Sequence, residues 1–162
     1  MSKPAAAATP ISAHIETAND PQAFAHWPQG LEAEMRANEF NGCVGSILVS
    51  ETDRVRVWHL KIAPGHRCPF HRHVNPYFWS AHAAGRARGY FSSGDIRDTE
   101  HYPGETRHYY YGPGEYMLHS VENIGDTELS FTTVEFLDGT NSALEIPDEL
   151  RLPPRPPIVI AD

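Results

Sequence analysis

The sequence lacks the marks of several large protein classes. No apolar run approaches the roughly 18 residues that a membrane-spanning helix needs. Residues 1–9, with one lysine and four alanines, lack the longer apolar core of a signal peptide. Only two cysteines are present, Cys43 and Cys68, too few for a disulfide framework. We therefore expect a cytoplasmic protein without a membrane partner, in which both cysteines are small buried side chains.

Basic charge is also scarce. The chain has 13 Lys and Arg against 21 Asp and Glu, a formal net charge of −8, which excludes the basic surface that nucleic-acid partners require. It has no glycine-rich phosphate loop and no GxSxG nucleophile motif. What it has instead is ten histidines. Because histidine is the commonest metal ligand in proteins, this composition directs attention to metal binding.

The chain length suits one domain with its own core. Polar and small residues without a sustained period predict a flexible N-terminal lead-in over residues 1–20. The domain itself is expected over 21–150, with a short helix within 31–40. Its β-barrel is expected over about 43–137. Four prolines exclude a helix near the end of the sequence and predict an extended C-terminal tail over 151–162.

Short β-type segments alternate with Gly- and Pro-containing turns, and no long helical pattern interrupts them. The expected strands are 43–49, 54–62, around 71–73, 77–84, 86–91, 107–111, 116–122 and 128–136. Such spacing is typical of an all-β sandwich or barrel. In the second strand, alternation begins at Val55 and Val57 but continues at Trp58, Leu60 and Ile62. This change of phase predicts a bulge or a strand covered on both faces.

His71 and His73 form the first candidate metal pair. Two histidines one residue apart in a strand point to the same face, so both imidazoles can reach one ion. A third ligand would come from another strand. Imidazole suits Fe, Mn, Co, Ni, Cu and Zn alike, so this spacing does not choose the metal.

The surrounding residues resemble the first motif of the cupin family, G(X)5HXH(X)3–4E(X)6G. Gly65, His71 and His73 match its beginning, and Gly85 matches its end. The glutamate, which is the family's usual fourth ligand, is missing from its expected place.

A second stretch is similar to the second cupin motif, PXG(X)2H(X)3N. His119 and Asn123 have the family's spacing, although four residues rather than two separate Gly114 from His119. The chain is thereby identified as a small single-domain cupin of the RmlC-like, cupin type 2 kind. This resemblance implies an all-β double-stranded β-helix, or jelly-roll barrel. It also implies one divalent metal held by His71, His73 and His119, with iron expected first and Mn, Ni, Zn, Co or Cu as alternatives.

Tyr77 and Phe78 occupy the positions where the family has its glutamate. If Phe78 faces inward, Ser80 and His82 face inward too, because strand side chains alternate with a period of two. His82 or Tyr77 is then a fourth ligand or a neighbour of the ligands. The residues expected on the pocket wall are Phe78, Ser80, Tyr109, Tyr111 and Met117.

A metal held only by three neutral histidines keeps its full +2 charge, which favours anionic or bidentate substrates. Some cupin-fold dioxygenases use such a site. We therefore expect a metal-dependent enzyme acting on a small organic molecule, with an iron dioxygenase first. A metal-dependent lyase or isomerase remains open, as does a non-catalytic small-ligand binding or sensing protein. A homodimer is the expected assembly.

Overall fold

The computed structural model describes residues 7–153. Ten β-strands run through these residues. They are β1 (Ile11–Ser12), β2 (Ile47–Glu51), β3 (Val55–Ile62), β4 (Arg67–His73), β5 (Tyr77–Ala81), β6 (Gly85–Phe91), β7 (Ile96–His101), β8 (Thr106–Tyr110), β9 (Met117–Asn123) and β10 (Leu129–Phe136). A helix, α1 (Leu31–Ala37), and two 3-10 turns, Pro21–Phe24 and Asp148–Leu150, complete the regular structure.

The strands form two sheets. The larger has the order β1-β8-β5-β10-β3-β2, and the smaller has the order β4-β9-β6-β7. All paired strands are antiparallel except the short β1, which runs parallel to β8. Neighbours in a sheet are mostly distant in sequence, as a jelly roll requires. The predicted all-β jelly-roll fold is confirmed.

The two sheets pack against each other and bury a shared core. Leu60, Leu129 and Phe131 come from the larger sheet, and Ala87 comes from the smaller one. Val121 of β9 packs against the same cluster. Each large apolar side chain buried in this way contributes about 1.5–3 kcal/mol of hydrophobic free energy. The core therefore holds the sheets in the arrangement that leaves a cavity between them.

The short helix predicted within residues 31–40 is confirmed as α1. Its apolar residues Leu31 and Met35 are four positions apart, so they share one face. This face packs on Phe70 of β4 and Leu118 of β9, which covers the outer side of the smaller sheet. Among the residues that the structure describes, no helix combines the length and apolar character needed to cross a membrane.

The predicted phase change in β3 is wrong. Buried and more exposed residues alternate along the whole strand. Arg56 takes an inward position, on the same face as Trp58, Leu60 and Ile62. The Arg56 guanidinium donates to the Glu51 carboxylate at 2.6 Å and to the Leu144 carbonyl at 2.8 Å. Burial of a charged side chain is tolerated when such partners are present. Sequence alternation misplaced Arg56 because these partners are supplied by tertiary structure. The irregular register lies instead in the neighbouring β2.

The ends of the described chain lie against the barrel. The Ile15 amide donates to the Tyr116 carbonyl at 3.0 Å, and the Ala18 amide donates to the Ser92 carbonyl at 2.8 Å. Within the lead-in expected from the sequence, Ala13, Ile15 and Ala18 also pack against buried apolar clusters of the barrel. Residues 1–6 lie outside the described residues, as do residues 154–162 of the expected tail.

Candidate metal centre

Two neighbouring strands of the smaller sheet bring the three predicted histidines together. In the antiparallel register of β4 and β9, His71 lies directly opposite His119. His73 follows on the same face of β4, because side chains two residues apart in a strand point the same way. The three side chains therefore meet inside the barrel without any loop rearrangement.

The nitrogen atoms of the cluster have a spacing that suits one ion. One ligand atom from each histidine lies within 4.8 Å of the others. His73 Nε2 and His119 Nε2 are 3.1 Å apart. A metal with nitrogen ligands at about 2.1 Å holds adjacent nitrogens about 3 Å apart. The spacing of the cluster therefore suits a single metal ion.

Burial keeps the imidazoles in the form that binds metal. It lowers the pKa of His71 to about 4, against an opposing hydrogen bond with the backbone at Pro69. Burial also lowers the pKa of His73 and of His119 well below the ordinary value, with further lowering from the neighbouring imidazoles. The three rings are therefore neutral near pH 7, and each offers a lone pair to a cation.

Different contacts orient the rings. His71 Nδ1 donates to the Pro69 carbonyl at 2.9 Å, which leaves Nε2 as the metal-binding atom. The His73 ring stacks on Tyr77, with 4.2 Å between ring centroids and 17° between planes. His73 Nδ1 is buried without a hydrogen-bond partner among residues 7–153. His73 is thus held by packing, whereas His71 is held by a hydrogen bond.

The cluster lies on the wall of a cavity of about 250 Å³ between the sheets. Its aromatic lining comes from Tyr77, Trp79, Phe91, Tyr109 and Phe131, and its polar lining includes Arg97, Thr99, His101 and Arg107. Tyr109, one of the residues expected on the pocket wall, belongs to this lining. Tyr111 and Met117 do not line the cavity, because they are buried in a cluster with Tyr77. Their predicted place on the wall is wrong.

The same cavity wall carries a further histidine, His101, which neither sequence motif includes. His101 Nδ1 lies 2.8 Å from Glu105 Oε2, and both side chains are almost fully buried. Glu105 Oε1 accepts from Arg107 Nε at 3.0 Å. The three residues flank the turn between β7 and β8, where Pro103 and Gly104 reverse the chain. In the sequence, His101 and Glu105 are four residues apart across that turn, and this spacing could have predicted the pair.

No model of a known protein family matches the sequence, and no curated protein does either. Among solved structures, a cupin domain protein from Bordetella pertussis is 24% identical, with 57% of this chain and 93% of that one covered and a TM-score of 0.49. An RmlC-like cupin family protein from Methanocaldococcus jannaschii is 15% identical, with 54% and 73% covered and a TM-score of 0.43. Bacillus subtilis oxalate decarboxylase, a protein with Mn(II) centres, is 25% identical, with 51% and 21% covered and a TM-score of 0.40.

The chain's own strand order decides the fold. The residues that match the first motif, His71 and His73, lie on β4, and those that match the second, His119 and Asn123, lie on the adjacent β9 of a two-sheet jelly roll. The chain has the cupin fold. Its three-histidine cluster suits a divalent metal ion, as the resemblance of the sequence implied.

The chain departs from the cupin motif in β5, and the face of that strand that lies inward is not the one expected from Phe78. Tyr77 and Trp79 face the cavity, whereas Phe78 and Ser80 face outward. His82 lies on the outer surface, hydrogen-bonded to two hydroxyl groups of β10 at 2.9 Å each, and so is neither a ligand nor a neighbour of the ligands. Three consecutive aromatic residues open β5, so hydrophobicity alone could not choose its buried face.

Tyr77 lies beside the ligands rather than among them. Burial raises its pKa well above the ordinary value of 10, which disfavours the phenolate that binds hard cations. Cys68 is also a neighbour, with its Sγ 4.0 Å from His71 Nδ1. Burial raises the Cys68 pKa to about 11 and also raises that of Cys43, so both remain thiols. Neither cysteine behaves as a reactive thiolate.

Proposed function

We propose that His71, His73 and His119 bind one divalent transition metal, and that the protein is a metal-dependent enzyme acting on a small organic molecule. The observation that carries this proposal is the convergence of three neutral imidazoles, two of them buried and one partly buried, on the wall of a cavity of about 250 Å³. A buried polar cluster of this kind is costly unless it binds something. The cavity size favours a ligand smaller than a typical drug molecule.

An iron dioxygenase is the first candidate within this class. Among residues 7–153, the cluster of potential ligands contains three histidines and no carboxylate. A metal held by neutral ligands retains its +2 charge and attracts an anionic substrate. When iron is bound there, it supplies redox chemistry toward dioxygen. The aromatic walls exclude bulk water from the substrate, and Arg97 and Arg107 add positive charge to the lining.

A metal-dependent lyase or isomerase is the second candidate, because a specific observation favours it. Such reactions need a group that moves a proton. The His101–Glu105 pair on the cavity wall is a group of that kind. Manganese, nickel or zinc would then act as a Lewis acid.

Metal analysis of the purified protein tests the proposal. We expect about one metal ion per chain in the native protein and almost none in His71→Ala, since loss of one of three ligands removes most of the affinity. His82→Ala is the matched control, because it removes a histidine from the outer face of the barrel. The variant should keep its metal. The metal that is found then selects the activity screen, with oxygen uptake for iron and lyase or isomerase assays for manganese, nickel or zinc.

Two results would contradict this assignment. Equal metal contents in native protein and His71→Ala would show that the ion binds elsewhere. Absence of metal from native protein after growth and purification with each candidate metal would leave a metal-free ligand-binding barrel. Stoichiometric metal binding without turnover in any screen would instead support a binding or sensing role.

A further inference from the structure

His101 and Glu105 form a buried pair that the metal cluster does not use. The side chains are 8% and 3% exposed, and His101 Nδ1 lies 2.8 Å from Glu105 Oε2. The second carboxylate oxygen of Glu105 accepts from Arg107 Nε at 3.0 Å, and Arg107 Nη2 lies 2.9 Å from the same oxygen in an ion pair. Both carboxylate oxygens of Glu105 therefore have partners, and the oriented carboxylate in turn orients the His101 imidazole.

The hydrogen bond to Glu105 sets the tautomer of His101. A carboxylate only accepts hydrogen bonds, so Nδ1 carries the proton and Nε2 carries a lone pair. His101 Nε2 has no hydrogen-bond partner among residues 7–153. The ring stands edge-on to Trp79 and Phe131, with centroids 5.3 and 5.0 Å away. It thus presents an acceptor nitrogen in an aromatic cavity.

The pair and the metal cluster lie toward opposite ends of the same cavity. His119 is paired with Phe91 at one end of β6, and His101 is paired with Gly85 at the other end. Both histidines line the cavity. When a ligand binds with one end near the metal cluster, its other end therefore points toward His101.

We propose that His101 accepts the proton of a weakly acidic hydroxyl group, of the phenol or enol class, on the ligand of this cavity. This inference rests on the proposed function for the identity of the cavity as the substrate site. In the transfer, the O–H bond of the ligand breaks, its electron pair stays on oxygen, and the proton bonds to His101 Nε2. The products are the ligand anion and an imidazolium, so charge is conserved. Glu105 is a positioning residue, since it acts through His101.

The surrounding charges favour that transfer. Glu105 contacts the His101 ring, Arg107 contacts Glu105, and the rings of Trp79 and Phe131 pack against His101 from other strands. Before transfer, the Glu105 and Arg107 charges cancel. After transfer, the imidazolium gives the group one positive charge, which the ligand anion neutralises. Aromatic walls strengthen this attraction because they exclude water.

4-Nitrophenol is a suitable probe, because it is a small aromatic acid whose phenol and phenolate forms absorb at different wavelengths. The full-length protein is treated with chelator and titrated with the probe over a pH series, and then the series is repeated after metal loading. In the metal-free protein, we expect the ratio of bound phenolate to bound phenol to be at least about tenfold higher for native protein than for His101→Gln. Glu105→Gln should lie between them, and His82→Gln should match native protein.

Nuclear magnetic resonance of ¹⁵N-labelled native protein gives a second measurement that needs no variant to fold. The imidazole nitrogens of His101 should show the Nδ1–H tautomer, and the Nε2 signal should move to the protonated position when 4-nitrophenol is added. The opposite tautomer would overturn the proposal. So would equal ionisation of the bound probe in native protein and folded His101→Gln, or no binding of the probe to native protein. Because these measurements use metal-free protein, they test the role of His101 separately from metal binding by the three-histidine cluster.

Discussion

Asn123 shows how one buried side chain joins three parts of the backbone. Its Nδ2 donates to the Ile62 carbonyl at 2.8 Å and to the Thr127 carbonyl at 2.7 Å. Its Oδ1 accepts from the Gly125 amide at 2.9 Å. The residue therefore connects β3 of one sheet to β9 of the other and closes the turn after β9. The match to the second motif predicted this asparagine, but only the contacts give its structural role.

Replacement of Asn123 by alanine should destabilise the fold without removing the metal ligands. Asn123 is fully buried, and its removal takes one hydrogen bond from each of two carbonyls and one amide. The expected loss in the free energy of unfolding is about 3 kcal/mol. Urea unfolding followed by circular dichroism measures the free energy of unfolding. Asn38→Ala is the control, since Asn38 Nδ2 makes one bond to a helix carbonyl and its loss should cost about 1 kcal/mol. Equal losses in the two variants would count against the bridging role.

Turns between strands depend on what packs around them as well as on their own backbone. Gly94, between β6 and β7, and Gly104, between β7 and β8, both have positive φ, at 93° and 81°. A Cβ atom on Gly94 would collide with the carbonyl of Ala23, whereas no atom of the described residues 7–153 lies within 4 Å of a Cβ on Gly104. The Gly94 carbonyl also accepts from Trp27 Nε1 at 3.0 Å. Residues 23–27 are therefore seated on the first turn, and within residues 7–153 they have no counterpart at the Cβ position of the second.

Gly94→Ala and Gly104→Ala make a matched pair of turn variants. Gly104→Ala should cost about 1–2 kcal/mol, the usual penalty for a side chain in the left-handed region. Gly94→Ala should cost about 3 kcal/mol or more, because the collision displaces the N-terminal segment as well. Thermal and urea unfolding of the two variants gives the comparison. If Gly104→Ala proves as damaging as Gly94→Ala, the close approach of Ala23 is not what constrains the turn.

At the scale of the whole molecule, the histidine cluster couples folding to pH. In the folded protein, His71 does not take up a proton until about pH 4, whereas in the unfolded chain it does so near 6.5. The unfolded state therefore binds more protons between these values, and stability falls as the pH falls through this window. Above about pH 6.5, the contribution is fully present. His73 and His119 act in the same direction, because their pKa values are also lowered in the folded state.

The metal-free protein should lose stability below pH 6.5 more steeply than His71→Gln does. Each such imidazole contributes a slope of about 1.4 kcal/mol per pH unit within its window. Carboxylates such as Glu34 and Asp98, whose pKa values are lowered by arginine partners, add slopes of the same sign, so the difference between the two proteins is the informative quantity. Urea unfolding at intervals from pH 7.5 to 4.5 measures it. If native protein and His71→Gln show the same pH dependence of stability, the pKa of His71 is not lowered in the folded protein.

Local patterns in the sequence already determine part of this protein. The alternation of a strand places His71 and His73 on one face, and the resemblance of both motifs pointed to His119 and to a jelly roll. The stretch 31–40 predicted the short helix that the structure shows as α1. These features could be predicted because each depends on residues that are close in sequence or on a recognised motif.

Only the tertiary structure decided which face of β5 is buried and what partners the charged groups have. Tyr77, Phe78 and Trp79 are all aromatic, so the choice of buried face depends on the fit against His73 and Phe131 rather than on hydrophobicity. Arg56 enters the core because distant residues supply its acceptors. His101 and the three-histidine cluster share one cavity because two sheets close around it. Side-chain pairing across sheets is a property of long-range packing, which local periodicity does not encode.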